Sequence, residues 1–244
     1  MSTDRDRKPE RMLGDNNLHD IRACVFDAYG TLFDFNAPLA ARRARIGPAA
    51  DRLSAVWRQK QIDYTWLRSL MGKYADFWQV TGEALDYALA ACEVDDPALR
   101  AELMQLYLAL DSFPDARPCL EALKGRRMRT AVLSNGTSTM LTAAVNANTL
   151  TPLLDRVLSV DACGTFKPHP SVYQLAVDEL DAQPAQVCFV SANGWDAAGA
   201  AAFGFRAVWI NRAGAPVETL PFQPVAEIRG LDELAELLPS QPEE

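Results

Sequence analysis

Several short stretches place polar side chains directly behind apolar, strand-like runs. Asp27 follows Ala23-Cys24-Val25-Phe26, a run flanked by turn signals that reads as a strand buried on both faces. Gly30 then permits a tight turn, and Leu32 and Phe33 anchor the chain again. An isolated Asp at such a point more often caps or turns the chain. In an open α/β sheet, however, the same point borders the crevice where ligands bind. Ser134-Asn135-Gly136-Thr137 follows Val132-Leu133 and leads into a helix. Such residues act as helix caps, and the free N–H groups of a helix N-terminus also bind a carboxylate or phosphate. Lys167 stands before Pro168-His169-Pro170. A lone loop lysine is usually a solvated charge, but backbone restricted by two prolines fixes the direction of this one. Ser191, Asn193 and Asp196 follow Phe189-Val190, with Trp195 among them. Arg58 and Ile62 lie one helical turn apart and share a face. By itself a helical Arg is usually a solvated charge or an ion-pair partner.

These groups meet only if the strands that carry them run parallel. The pattern from Phe113 onward alternates strand and helix. Helices are expected over Ala116–Lys124 (ended by Gly125), Thr137–Asn146, Pro170–Leu180 and Asp196–Phe203, with a closing helix over Leu231–Leu238. Strands are expected over Met128–Leu133, Arg156–Val160, Val187–Val190 and Arg206–Ile210. Such repeats imply an α/β fold, a doubly wound, Rossmann-like parallel sheet with right-handed crossovers. From Leu53 to Leu110 no strand is evident. Leu53, Val56, Trp57, Tyr64, Leu67, Leu70 and Met71 recur near helical spacing, and Asp95-Asp96-Pro97 reads as a break and a helix start. The expected organisation is a polar tail over 1–20, a core formed by 21–35 and 112–244, and an inserted helical cap over 36–111. Pro216–Pro224 reads as a surface connection.

With 49% hydrophobic and 23% charged residues the chain has material for a sizeable core. A net charge of −8 argues against nucleic acid as a partner, and any anion site must be made locally positive by placed cations and helix N-termini. The five cysteines show no Cys-x-x-Cys, and Cys24 and Cys188 fall inside apolar runs, which suits buried thiols in a reducing compartment. Two histidines and no cysteine cluster give a zinc site little support. No apolar run approaches the ~20 residues of a membrane span, and the polar first twenty residues do not read as a signal peptide.

Phe26-Asp27-Ala28-Tyr29-Gly30-Thr31-Leu32-Phe33-Asp34 resembles the first motif of the haloacid dehalogenase superfamily, whose hydrolases use this Asp as a covalent nucleophile. Ser134-Asn135-Gly136 resembles the second motif, Lys167 with its prolines the third, and Ser191-Ala192-Asn193-Gly194-Trp195-Asp196 the last; together they span about residues 20–215. Phosphatases of the superfamily carry a second Asp where this chain has Tyr29, and an acidic residue directly after the strand where it has Ser191. Mg²⁺ favours sites with carboxylate oxygens, so these departures point to the metal-free type II 2-haloacid dehalogenases.

That resemblance implies roles for individual residues. Asp27 attacks, with Thr31 in its loop; Lys167 keeps Asp27 ionised and orients it, and Ser191 supports Lys167. Asn193 contacts the nucleophile, Tyr173 is a supporting hydroxyl, and Asp196 helps activate the hydrolytic water. Arg58 receives the departing halide, Ser134 and Asn135 hold the substrate carboxylate, and Tyr29, Gln59, Ile62, Phe77 and Trp195 wall the pocket. The expected reaction turns (S)-2-haloalkanoic acids into (R)-2-hydroxy acids with inversion, through an aspartyl ester. No metal or other cofactor is expected; the partners are the 2-haloacid and halide ion. The resemblance also implies a cytoplasmic homodimer. A Mg²⁺-dependent phosphatase of the same superfamily is disfavoured by Tyr29 and Ser191. A catalytically silent binding protein is disfavoured because every expected polar position is filled.

Overall fold

Four apolar residues in succession leave β1 (Ala23–Phe26) without a polar face, and the sheet closes over it on both sides: each of the four is 0% exposed. In the computed structural model, which describes residues 18–238, β1 is a central strand of a six-stranded sheet ordered β3-β2-β1-β4-β5-β6. The other strands are β2 (Arg129–Ser134), β3 (Arg156–Ser159), β4 (Val187–Ser191), β5 (Arg206–Ile210) and β6 (Ala226–Ile228), and all pairings are parallel. The strand order reverses between β1 and β4, the switch point at which doubly wound sheets open a crevice. Register sets what faces that crevice. Phe26 stands opposite Val132 and Val190, and Asp27 extends the ladder by one bond, its N–H donating to Val190 O at 2.9 Å.

Between β1 and β2 the chain forms four helices, α1 (Ala37–Ile46), α2 (Ala50–Met71), α3 (Phe77–Ala91) and α4 (Pro97–Leu108), followed by α5 (Ala116–Gly125). Asp76 caps α3 by accepting from Gln79 N, and Asp96 caps α4 by accepting from Leu99 N, with Pro97 in the first turn. Gly72, at φ 62°, ends α2 in a left-handed turn. The remaining helices are α6 (Ser138–Ala147), α7 (Pro170–Leu180), α8 (Gly194–Phe203) and the single turn α9 (Leu234–Leu237). Buried side chains of the sheet and of the inserted helices belong to one hydrophobic cluster, in which Val25 and Phe26 join Leu53, Trp57, Phe77 and Leu85.

Three features differ from the expected layout. β6 was not anticipated, because Ala-Glu-Ile is short, half polar and preceded by the Pro-rich connection. The closing segment is a 3₁₀ turn (Leu231–Glu233) leading into α9, not one helix through Leu238. Residues 1–17 of the expected tail lie outside the described residues, but Leu18 is 1% exposed and Ile21 4%, so the packed fold reaches back to Leu18. Among the described residues no helix is long and apolar enough to cross a membrane.

Candidate active site

The loop after β1 is built to hold Asp27 still. Gly30 takes a φ of 86° and its N–H donates to Phe33 O at 2.7 Å, while Leu32 N and Phe33 N both donate to Ala28 O. A Cβ at Gly30 would lie 3.0 Å from the Phe35 ring in a backbone conformation that L side chains avoid. Asp27 is 5% exposed, and both its oxygens are engaged. Lys167 Nζ donates to Oδ1 at 3.2 Å, and Asn193 Nδ2 donates to Oδ2 at 2.9 Å. Thr31 Oγ1 approaches Oδ2 at 3.5 Å and accepts from Ala192 N at 2.8 Å, joining the loop after β1 to the end of β4.

Lys167 serves two carboxylates. Its ammonium also donates to Asp196 Oδ2 at 2.9 Å, and Tyr173 Oη donates to Asp196 Oδ1 at 2.8 Å. Asp196 is fully buried in the first turn of α8. Burial raises its pKa, the charge of Asp27 adds to the rise, and Lys167 and Tyr173 oppose it. Burial likewise raises the Tyr173 hydroxyl, with Asp196 acting in the same direction, so it stays a proton donor. The approach of Tyr173 requires Gly199, where a Cβ would sit 2.7 Å from the tyrosine hydroxyl and 2.6 Å from Pro168 Cβ.

Asp27 opens into a small cavity of about 20 Å³, bounded also by Tyr29, Arg58, Ile62, Thr65, Phe77, Ser134, Asn135, Lys167, Asn193 and Trp195. The space is close to that of a single water. Arg58 reaches it from α2, its Nη2 donating to Asn193 Oδ1 at 3.0 Å and its Cζ lying 4.7 Å from the centre of the Phe35 ring. The Tyr29 hydroxyl and the Trp195 indole N–H are buried without a hydrogen-bond partner among the described residues. Burial pushes the Tyr29 pKa well up, Tyr107 and Asp27 add to this, and Arg58 offsets part of it, which leaves a protonated donor. Ser134 Oγ accepts from Gly136 N at 3.1 Å, and Asn135 Oδ1 accepts from Lys167 N at 3.0 Å, tying the loop after β2 to that of Lys167.

The sequence-derived candidates therefore divide. Asp27, Tyr29, Arg58, Ile62, Phe77, Ser134, Asn135, Lys167, Asn193 and Trp195 meet around the cavity. Thr31, Tyr173 and Asp196 stand behind it, each touching a residue that lines it or one step further back. Ser191 does not support Lys167 as expected: its hydroxyl accepts from Asn193 N at 3.1 Å and so orients Asn193. Gln59 does not wall the pocket. It is exposed on the outer side of α2, where Nε2 donates to Asp63 Oδ1 at 2.7 Å, because it lies about 100° round the helix from Arg58. Two residues were missed, Thr65 on the lining and Gln61 beside Arg58; both share the helical face of Arg58 and Ile62, and that spacing was the available signal.

A doubly wound parallel sheet with a buried, lysine-paired aspartate at its switch point, covered by inserted helices, defines an α/β protein with a carboxylate-centred site. The family model for haloacid dehalogenase-like hydrolases matches residues 21–204, and the chain belongs to that family. It is 49% identical over 223 residues to (S)-2-haloacid dehalogenase 1 of Pseudomonas sp. (strain CBS-3), covering 91% of this chain and 98% of that one. Among solved structures, a dehalogenase superposes with a TM-score of 0.89 at 44% identity, over 92% of this chain and 99% of its own. The L-2-haloacid dehalogenase of Xanthobacter autotrophicus with chloropropionic acid covalently bound superposes with a TM-score of 0.82 at 40% identity, over 89% of this chain and 98% of its own.

Proposed function

We propose that the protein hydrolyses (S)-2-haloalkanoic acids to (R)-2-hydroxy acids, with inversion at C2 and an ester on Asp27 as intermediate. One observation carries the reading: Asp27 is the only acidic side chain lining the cavity among the described residues, and every other polar side chain on the lining can donate a hydrogen bond. Such a site suits an anionic substrate that loses a second anion. It does not offer the paired carboxylates that a Mg²⁺-dependent phosphatase needs. The similarity to relatives named for this activity supports the same reading.

In the first step a carboxylate oxygen of Asp27 forms a bond to C2 as the carbon–halogen bond breaks, and the electron pair leaves with the halide. Arg58 takes the halide, with Tyr29 and Trp195 as neighbouring donors, while Ile62, Thr65 and Phe77 enclose the alkyl part. Ser134 and Asn135, both on the cavity lining, hold the substrate carboxylate. In the second step water adds to the ester carbonyl of Asp27. The hydroxy acid leaves, one proton goes to solvent, and the Asp27 carboxylate is restored. Asp196 acts on this step through Lys167, since both its oxygens are engaged and it does not reach the cavity. The haloacid sits between α2 and the sheet edge, whose residues together line the cavity. Residues 36–111 serve as a cap on a core of 21–35 and 112–238, and the expected core residues 239–244 lie outside the described residues.

The protein acts in the cytoplasm as a homodimer. Support for a reducing compartment comes from Cys24 and Cys188, which stand opposite each other in adjacent strands and are both free. Support for self-association comes from the end of α2, where Leu67, Leu70 and Met71 are 50%, 84% and 63% exposed. The test of the activity is a halide-release panel of chloro-, bromo- and fluoroacetate and both 2-chloropropionate enantiomers, with and without EDTA. Chloride should come from the (S) enantiomer with (R)-lactate as product. Absence of halide release from every compound, with phosphate release from phosphate esters, would refute the reading.

A further inference from the structure

The Arg58 guanidinium has a second side-chain partner, which leads away from the cavity. Its Nη1 donates at 2.6 Å to Oε1 of Gln61, a residue one turn further along α2 and only 1% exposed. Gln61 Nε2 donates to Thr81 Oγ1 at 2.7 Å and to Tyr107 Oη at 3.2 Å. Thr81 spends its one hydroxyl hydrogen on Phe77 O, at 2.6 Å. This fixes the direction of the amide. Thr81 Oγ1 has no hydrogen left to give, so the Gln61 group facing it must be the NH₂, and the carbonyl oxygen must face Arg58. The bonds run one way, from the guanidinium through Gln61 and Thr81 to the backbone of α3.

Arg58 also has somewhere else to go. Behind its guanidinium lies a second small cavity, bounded by Phe35, Leu39, Ser54, Trp57, Gln61 and Tyr107, so the side chain is a partition between two spaces. Asn193 and Tyr107 are its other polar side-chain partners, and Phe35 packs on its face. The hydrogen bond to Gln61 is charge-assisted, buried and short, the kind that fixes geometry most firmly.

Resting on the dehalogenase reading, we infer that Gln61 is a positioning residue for halide departure: it holds the Arg58 guanidinium against the active cavity, with the N–H groups not bound to Gln61, Asn193 or Tyr107 left for the halide. A residue that merely packs the helices would affect both chemical steps and stability alike. A residue that aims Arg58 affects the first step and halide binding, because the ester is hydrolysed after the halide has been displaced.

The experiment measures three quantities for wild type and Gln61→Leu: the single-turnover rate of ester formation from (S)-2-chloropropionate, the rate of ester hydrolysis, and inhibition by bromide. For Gln61→Leu, ester formation should fall and the bromide inhibition constant should rise, each roughly 10–100-fold, the range of one hydrogen bond to a charged group. Ester hydrolysis should stay within about twofold of wild type, well below the change that one such bond makes. Thr81→Val removes the acceptor that fixes the amide; it should move the same quantities in the same direction, and it serves if Gln61→Leu does not fold. Equal slowing of both steps, or unchanged ester formation and bromide inhibition, overturns the inference. Failure of wild type to release halide from any haloacid overturns instead the functional reading on which it rests.

Discussion

Lys167 Nζ lies 2.9 Å from Asp196 Oδ2, closer than the 3.2 Å to Asp27, and the side chains of Lys167 and Asp196 are each 1% exposed. Two buried carboxylates thus share one ammonium, with Tyr173 donating to the one further from the cavity. Removal of the shared cation leaves both carboxylates uncompensated. Lys167→Met should lower stability by about 3–5 kcal/mol, the cost of breaking a buried ion pair, and abolish ester formation. Chemical denaturation and a single-turnover assay check this; a variant that keeps its stability would show the triad to be dispensable to the fold.

Asp196 gives the triad a signature in pH. Burial raises its pKa, so the folded state binds this proton more tightly than the unfolded state. Stability from this group is therefore highest below the ordinary carboxylate range and falls as pH rises through the raised value. Asp196→Asn removes that slope. The difference in stability, wild type minus variant, should decline with rising pH across the window above the ordinary carboxylate pKa. Urea midpoints at a series of pH values read it out, and a difference that grows with pH would contradict the assignment.

Gly199 tests how closely Tyr173 and Pro168 must approach α8. A Cβ there would meet Pro168 Cβ at 2.6 Å and the Tyr173 hydroxyl at 2.7 Å, and one of those contacts is to a ring that cannot fold away. Gly199→Ala should destabilise by about 1–3 kcal/mol, as overpacking does, and slow ester formation by displacing Lys167 or Asp196. Gly125→Ala is the control, with nothing within 4 Å of the new Cβ. Its stability should be unchanged or higher by about 0.4–1 kcal/mol. Similar thermal shifts for the two variants would remove the steric argument.

Much of this arrangement was legible in the sequence where one local signal sufficed. The predicted bounds of Pro170–Leu180 and Arg206–Ile210 coincide with α7 and β5, since a proline opens the one and a wholly apolar core fills the other. The loops after β1, β2 and β4 meet because parallel strands of similar register end together. β6 escaped because a three-residue edge strand carries too short a pattern to register. Gln59 and Gln61 show a different limit. Two glutamines flank Lys60, and the family resemblance named the first, whereas helical geometry puts the second on the inner face. The role of Ser191 was taken from the family resemblance, but its partner was decided by a tight turn that brings Asn193 N back to it.

Arg58 is engaged by Gln61 and Asn193 through two different nitrogens, a geometry that an ammonium does not reproduce. Arg58→Lys should slow ester formation by about 100-fold or more, comparable to removal of one preorganised donor at a developing charge. Arg58→Ala should be slower still, while Gln59→Ala, on the outer side of α2, should stay near the wild-type rate. A near-wild-type rate for Arg58→Ala would take Arg58 out of the site.

The origin of the product oxygen separates two routes that both invert C2. In one, Asp27 attacks C2 itself and water later opens the ester; in the other, Asp27 acts as a base and water attacks C2. The site favours the first. Asp27 Oδ1 accepts from an ammonium and Oδ2 from an amide, which holds the carboxylate at the edge of the cavity as an oriented nucleophile. With enzyme in excess over (S)-2-chloropropionate in ¹⁸O-water, the first turnover should therefore give mostly unlabelled lactate. The heavy oxygen should appear in the Asp27 carboxylate, detected by mass spectrometry of the peptide that carries it, and reach the product only in later turnovers. Labelled lactate from the first turnover, with an unlabelled Asp27 peptide, would establish the base route instead.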